Sequence, residues 1–342
     1  MDKKKIIYLE IIRLIALYCI VYNHIGYILF EGLKKPFEIS VSVLLSILCK
    51  VGVPLFFMVS GALLLGREES WADVYKKRVF RIAIVIVVFN TIRFLYECYI
   101  TKVRTFSVVY LVKGILTGNI LHPYWFLYAY LSVLLILPIL RIIVRNLDFQ
   151  GKKWLLGLII LFYMIVPLKA LVVNQQWQVT LLIDEKICYM FLGYFIEREL
   201  NEEHFKLKNK LMVSLGALMA IVISFWMITR TYIGGGGFAT EHIPILSMPL
   251  ACAIFYLIKG ESLQFKKGNE KLKNWILQLG NCVFGVYLIE DYLRAALALV
   301  CEKCNFYLGN LIVCIVSTFG VIIVGMSIVY ILKKIPFLRK LL

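Results

Sequence analysis

With 342 residues, 61% of them hydrophobic and only 17% charged, the chain is far more apolar than a soluble domain, which is about half apolar. Its formal charge of +17 would ordinarily raise nucleic acid as a partner, yet 25 of the 38 Lys and Arg fall in six short segments: 1–5, 67–81, 141–153, 198–210, 259–273 and 333–342. Those segments are alternate connections along the chain, the positive-inside pattern of a protein lying beside anionic lipid, so a soluble fold and nucleic-acid binding are both excluded.

Ten apolar runs reach the roughly 20 residues that a helix needs to cross a bilayer: 6–30, 40–66, 79–100, 123–144, 154–173, 181–198, 211–230, 243–259, 275–299 and 308–332. They predict an all-α polytopic bundle in the lipid bilayer, with both termini cytoplasmic and one integral membrane domain over 1–342. No soluble domain and no internal repeat is visible.

The first run follows Lys3, Lys4 and Lys5 as a signal peptide's would, but it is long, carries Glu10 and Arg13, and lacks a small-residue cleavage site. It is expected to stay as the first span. Arg13 and His24 lie inside it, and an unpartnered Arg at the centre of a span costs about 2.5–3.5 kcal/mol. Eleven residues is about three helical turns, so the two side chains share a face roughly 16 Å apart. Glu10 stands three before Arg13, a spacing that allows an ion pair. Tyr18, Tyr22 and Asn23 add further polar groups.

The second run ends in Val51-Gly-Val-Pro-Leu-Phe-Phe-Met-Val-Ser-Gly61, whose Gly52, Ser60 and Gly61 permit close helix contact. Pro54 frees a backbone carbonyl there. After it, Arg78 and Arg81 put two planar guanidinium groups on one face at a helix start, a pattern suited to phosphate as well as to anchoring. The segment 108–116 predicts a short interfacial or re-entrant helix. The fourth run opens with His122-Pro-Tyr-Trp-Phe-Leu-Tyr128, an aromatic belt. In the sixth, Asp184-Glu-Lys186 precedes Gly193-Tyr-Phe-Ile-Glu-Arg198. Gly234 to Gly237 form an external loop that follows no strand, so they cradle no phosphate. The ninth carries Glu290 and Asp291, and buried acids need partners. Cys301 and Cys304 form a CxxC at an external helix end, either a disulfide or two inert thiols; a metal site would want four ligands and none are nearby.

In order, these pieces resemble the acyltransferase-3 family of integral membrane acyltransferases, in particular those that look like surface-polysaccharide O-acetyltransferases. The resemblance rests on Arg13 and His24, on PLFFMVSG at 54–61, on Arg78-x-x-Arg81, on YWFLYAYL at 124–131 with Pro138, on FLGYFI at 191–196 and on GVYLI at 285–289. It covers essentially the whole chain. It departs from the family where relatives often carry His after the YLI, since this chain has Glu290.

The resemblance implies transfer of an acyl group, usually acetyl, from cytoplasmic acyl-CoA to a hydroxyl of a cell-surface glycan or its lipid-linked precursor at the plasma membrane. No metal is implied. Arg78 and Arg81 would hold the coenzyme's phosphates and Arg13 its pyrophosphate or the polarised thioester. His24 would be general base or acyl nucleophile, with Glu290 or Asp291 orienting it. Ser60, Trp125 and Tyr128 are the candidates for substrate contact. A transporter or flippase for a small polar solute or lipid-linked sugar would also use intramembrane Arg, His and acids, and a binding or scaffold role is the third alternative. The paired cytoplasmic arginines and the missing repeat favour acyl transfer.

Overall fold

The computed structural model describes residues 7–26, 35–120, 124–165, 183–233, 246–264, 270–304 and 311–342. His122 and the Gly234 to Gly237 loop lie outside them. Every regular element among the described residues is helical. In chain order they are α1 (Ile7–Gly26), α2 (Pro36–Cys49), α3 (Gly52–Leu64), α4 (Trp71–Val74), a π turn (Tyr75–Val79), α5 (Phe80–Tyr99), α6 (Val108–Thr117), α7 (Trp125–Asn146) and α8 (Phe149–Ile160), which continues as a second π turn (Leu161–Ile165). There follow α9 (Glu185–Glu199), a 3-10 turn (Glu202–Phe205), α10 (Leu207–Ile233), α11 (Ser247–Gln264), α12 (Glu270–Lys303), α13 (Leu311–Leu332) and α14 (Pro336–Leu341).

Among the described residues, six helical stretches are long and apolar enough to cross a membrane: Ile7–Ile25, Pro36–Leu64, Trp71–Tyr99, Trp125–Asn146, Leu207–Arg230 and Leu311–Leu332. The other four expected spans overlap α8, α9, α11 and α12, which are shorter or carry more charge, with 166–173, 181–182 and 243–245 lying outside the described residues. The protein is an all-α membrane bundle. A helix also stands where 108–116 predicts one; Ser107 caps it, accepting from the Tyr110 N–H, and Gly118 ends it at φ 72°, a left-handed turn that glycine adopts without strain.

The chain divides into two compact units. The first comprises Met1–Leu65 and Leu147–Ile328. In it α1 packs against α2, α3, α11 and α12, burying Leu9, Ile12, Ala16, Leu17 and Val21 completely. The second expected span is two helices here, broken at Lys50 and Val51. Pro54 explains the break: it stands in the first turn of α3, where a missing N–H costs nothing. At the break the Cys49 carbonyl accepts from Asn23 Nδ2 at 2.9 Å.

The FMVSG and FLGYF segments owe their composition to one contact. A Cβ on Gly61 would strike the Met190 carbonyl, and one on Gly193 would strike the Met58 carbonyl. Each glycine thus faces the backbone three residues before the other, and α3 and α9 touch main chain to main chain. Lys259 of α11, 5% exposed, closes the end of α9 by donating from Nζ to the carbonyls of Ile196, Glu197 and Leu200 at 2.8, 2.7 and 3.1 Å.

The second unit comprises Gly66–Asn146 and Val329–Leu342. Tyr128 of α7 donates to the Ile115 carbonyl of α6 at 2.7 Å and accepts from Asn90 of α5 at 3.4 Å, tying three helices together. The Tyr75 hydroxyl reaches the Leu135 carbonyl at 2.8 Å. Near the C-terminal end of α5, Glu97 is held between Arg93 and Arg104.

Candidate active site

Each basic side chain of α1 has an acid beside it. Arg13 Nη1 donates to Glu10 Oε1 at 3.2 Å and Oε2 at 2.9 Å, the pairing their spacing predicts. Glu10 itself is buried, lying against Gly280 of α12, where a Cβ would collide with the carboxylate. Glycine there leaves room for a charge between two packed helices.

Along the same helix, His24 Nδ1 meets Glu290 Oε1 at 2.6 Å. Glu290 is fully buried, whereas a quarter of the His24 side chain (25%) is exposed, so the ring can be reached and its acid cannot. Glu10 beside Gly280 and His24 beside Glu290 show that α1 and α12 run parallel. That direction agrees with both being odd-numbered among the ten expected spans.

Arg294, four residues beyond Glu290, completes the group. Its Nη1 donates to the His24 carbonyl at 3.1 Å, its Nη2 pairs with Asp291, and its Nε lies 3.5 Å from Glu290 Oε2. Glu290 therefore has an imidazole at one oxygen and a guanidinium at the other. A buried carboxylate needs such company, because taking it out of water unpaired costs several kcal/mol. The guanidinium also meets a carbonyl of the last turn of α1, the negative end of that helix.

The sequence points to His24, Glu290 and Asp291, and the structure brings all three together. Asp291 does so through Arg294, since consecutive helical residues point about 100° apart. Arg13 stays about three turns away with Glu10. Arg294 was missed although its spacing, i+3 from Asp291 and i+4 from Glu290, is a readable signal. Ser60 Oγ donates to the Phe56 carbonyl of its own helix at 2.9 Å. Trp125 is 40% exposed at the start of α7, and the Tyr128 hydroxyl is engaged with backbone as described.

The second unit holds a separate arginine group. Arg78 grips Glu69 with two parallel bonds, Nη2 to Oε1 at 2.6 Å and Nε to Oε2 at 3.0 Å. Arg141 Nη2 adds a third at 3.0 Å, and Arg67 Nη1 lies 3.9 Å from Oε1. The Arg78 fork, helped by Arg141, holds the Glu69 carboxyl at about 2, well below the usual carboxylate range. Burial, with repulsion from Arg78, lowers Arg67. Arg81 donates from Nη2 to the Leu341 carbonyl at 3.3 Å.

None of the nine cysteines is in a disulfide, Cys301 being buried within α12 and Cys304 exposed just past its end. Among the described residues no group of three or more His, Cys, Asp or Glu is placed to hold a metal ion. The chemistry on offer is that of an imidazole whose Nδ1 faces a buried acid, leaving Nε2 to take a proton or attack a carbonyl.

No curated protein and no solved structure matches this chain. The family model for the acyltransferase-3 acyltransferase domain matches residues 6–331, nearly the whole length, which takes in α1, α12 and the arginine group alike. The chain therefore belongs to the acyltransferase-3 family and is a multi-pass membrane acyltransferase.

Proposed function

We propose that the protein works at the plasma membrane as a single acyltransferase domain with ten spans and both termini cytoplasmic. It moves an acyl group, most simply acetyl, from acyl-CoA to a hydroxyl of a cell-surface glycan or its lipid-linked precursor. The observation that carries this reading is the partly exposed His24 ring set 2.6 Å from a fully buried Glu290.

With Glu290 as the carboxylate, Nδ1–H donates to it and Nε2 keeps its lone pair. Nε2 then accepts the acceptor's hydroxyl proton as the oxygen attacks the thioester carbonyl. The C–O bond forms, the C–S bond breaks, and the thiolate leaves with the proton that His24 carried. The alternative route puts the acyl group on Nε2 first and on the hydroxyl second. In both, Glu290 stabilises the charged ring, and Arg294 with Asp291 keeps Glu290 in place.

Arg13 is proposed to act on the donor, polarising the thioester or meeting its pyrophosphate. Arg78 and Arg81 are proposed to meet the donor's phosphates, and Trp125, Tyr128 and Ser60 to contact substrate. The test uses membranes containing the protein, labelled acetyl-CoA and envelope glycan. Label should reach alkali-labile esters on the glycan and should stay on the coenzyme when His24 is replaced by Ala. Equal transfer with His24→Ala would remove the proposal.

A further inference from the structure

The Glu69 group has a charge imbalance that a simple ion pair would not need. Three guanidinium groups converge on one carboxylate: Arg78 through two bonds, Arg141 through one, and Arg67 at 3.9 Å. Arg141 is buried, and Arg67 and Arg78 are largely shielded. Three guanidinium groups meeting one carboxylate in partial burial leave an excess of positive charge at that oxygen pair, even with Glu68 and Asp73 nearby, and a ligand of larger negative charge would offset it.

The supports differ in kind. Arg141 is fixed on α7, and Arg78 stands in the π turn Tyr75–Val79, a widened turn that aims its side chains out of the regular helical order. Glu69 and Arg67 lie in the irregular connection between α3 and α4. Two of the three arginines, Arg78 and Arg141, stand on helical backbone, and the acid does not.

We infer that the Glu69 carboxylate occupies the seat of a phosphate group, and that Arg67, Arg78 and Arg141 form a phosphate-binding site which Glu69 fills when no ligand is present. A phosphate ester matches the seat better than the acid does. It brings three acceptor oxygens and close to two negative charges, and it suits the planar forks bidentately. Glu69 then competes with the ligand, so binding is weaker than the arginines alone would give, and the arginines are never left unpaired. The inference deepens the proposed function by moving the phosphate contact from Arg78 with Arg81 to Arg78 with Arg67 and Arg141. The phosphate could belong to the coenzyme or to an anionic lipid headgroup.

Pyrophosphate and coenzyme A are titrated calorimetrically into the full-length protein in phosphatidylcholine nanodiscs and phosphate-free buffer. Glu69→Gln should bind pyrophosphate about tenfold tighter than the unaltered protein, the weight of roughly one charge-assisted hydrogen bond. Arg67→Gln with Arg141→Gln should bind about tenfold weaker or worse. Should Glu69→Gln fold poorly, pyrophosphate should raise its melting temperature more than that of the unaltered protein. Coenzyme A binding that survives added phosphatidylglycerol assigns the seat to the coenzyme; phosphatidylglycerol that abolishes pyrophosphate binding assigns it to lipid. Pyrophosphate affinity unchanged or reduced by Glu69→Gln, with no gain in melting temperature, overturns the inference. None of these readouts needs acyl transfer, so the seat and the proposed reaction can fail independently.

Discussion

His24 Nδ1 and Glu290 Oε1, 266 residues apart in sequence, lie 2.6 Å apart in the structure, and only the histidine has an exposed face. In the proposed reaction the acid, sealed in protein, stabilises the charged ring, and Nε2 does the chemistry.

Replacing Glu290 by Gln keeps the shape and removes the charge. Acyl transfer should fall by about 100-fold or more, within the range that acid–base positioning contributes. The initial rate of labelled acetate transfer measures it. A rate within a factor of two of the unaltered protein would show that Glu290 is structural.

In the proposed reaction Arg294 positions rather than reacts, because its guanidinium is committed to the His24 carbonyl and to both acids. Arg294→Gln should lower kcat with little change in KM for acetyl-CoA, and Arg294→Lys should recover part of the loss. An effect confined to KM would contradict this role.

The α3–α9 contact gives a stability prediction with its own control. Gly61→Ala or Gly193→Ala places a methyl on a main-chain carbonyl that no rotamer can move, so each should cost about 1–3 kcal/mol and lower the melting temperature in detergent. Gly216→Ala meets nothing within 4 Å and should leave it unchanged or slightly raised. Equal effects at all three positions would refute the close contact.

Glu69 predicts a pH window. Its carboxyl is held at about 2 by Arg78, below an ordinary value near 4.5. Its contribution to stability is therefore complete above about pH 4.5 and is lost as pH falls toward 2. In phosphate-free buffer the unaltered protein should melt higher than Glu69→Gln at pH 6, and the gap should narrow below about pH 4.5 and close near pH 2. A gap independent of pH would contradict the ion pair.

Several of these relationships can be read in the sequence, for physical reasons that differ. The helices of α1 and α13 are legible because a long apolar run has no other way to satisfy its backbone in lipid. Glu10 and Arg13 are legible because an i,i+3 pair needs no tertiary knowledge. Buried Glu290 and Asp291 announce that partners exist, yet which acid meets His24 depends on the rotation of α12 against α1. That rotation is fixed by packing, with Gly280 making room for Glu10. The break between α2 and α3 is hinted at by Pro54 but placed by Asn23. Glu69 escapes notice because it lies in a connection, where period and hydropathy carry no signal. The same buried charges that suggest a reaction centre would equally serve a transporter, and it is family membership that decides for acyl transfer.

The most direct measurement is the rate of acetate transfer from labelled acetyl-CoA to envelope glycan in membranes carrying equal, correctly inserted amounts of the unaltered protein and of His24→Ala. The account requires that His24→Ala fall to the level of membranes lacking the protein. Transfer that persists in that variant would show that the reaction is centred elsewhere.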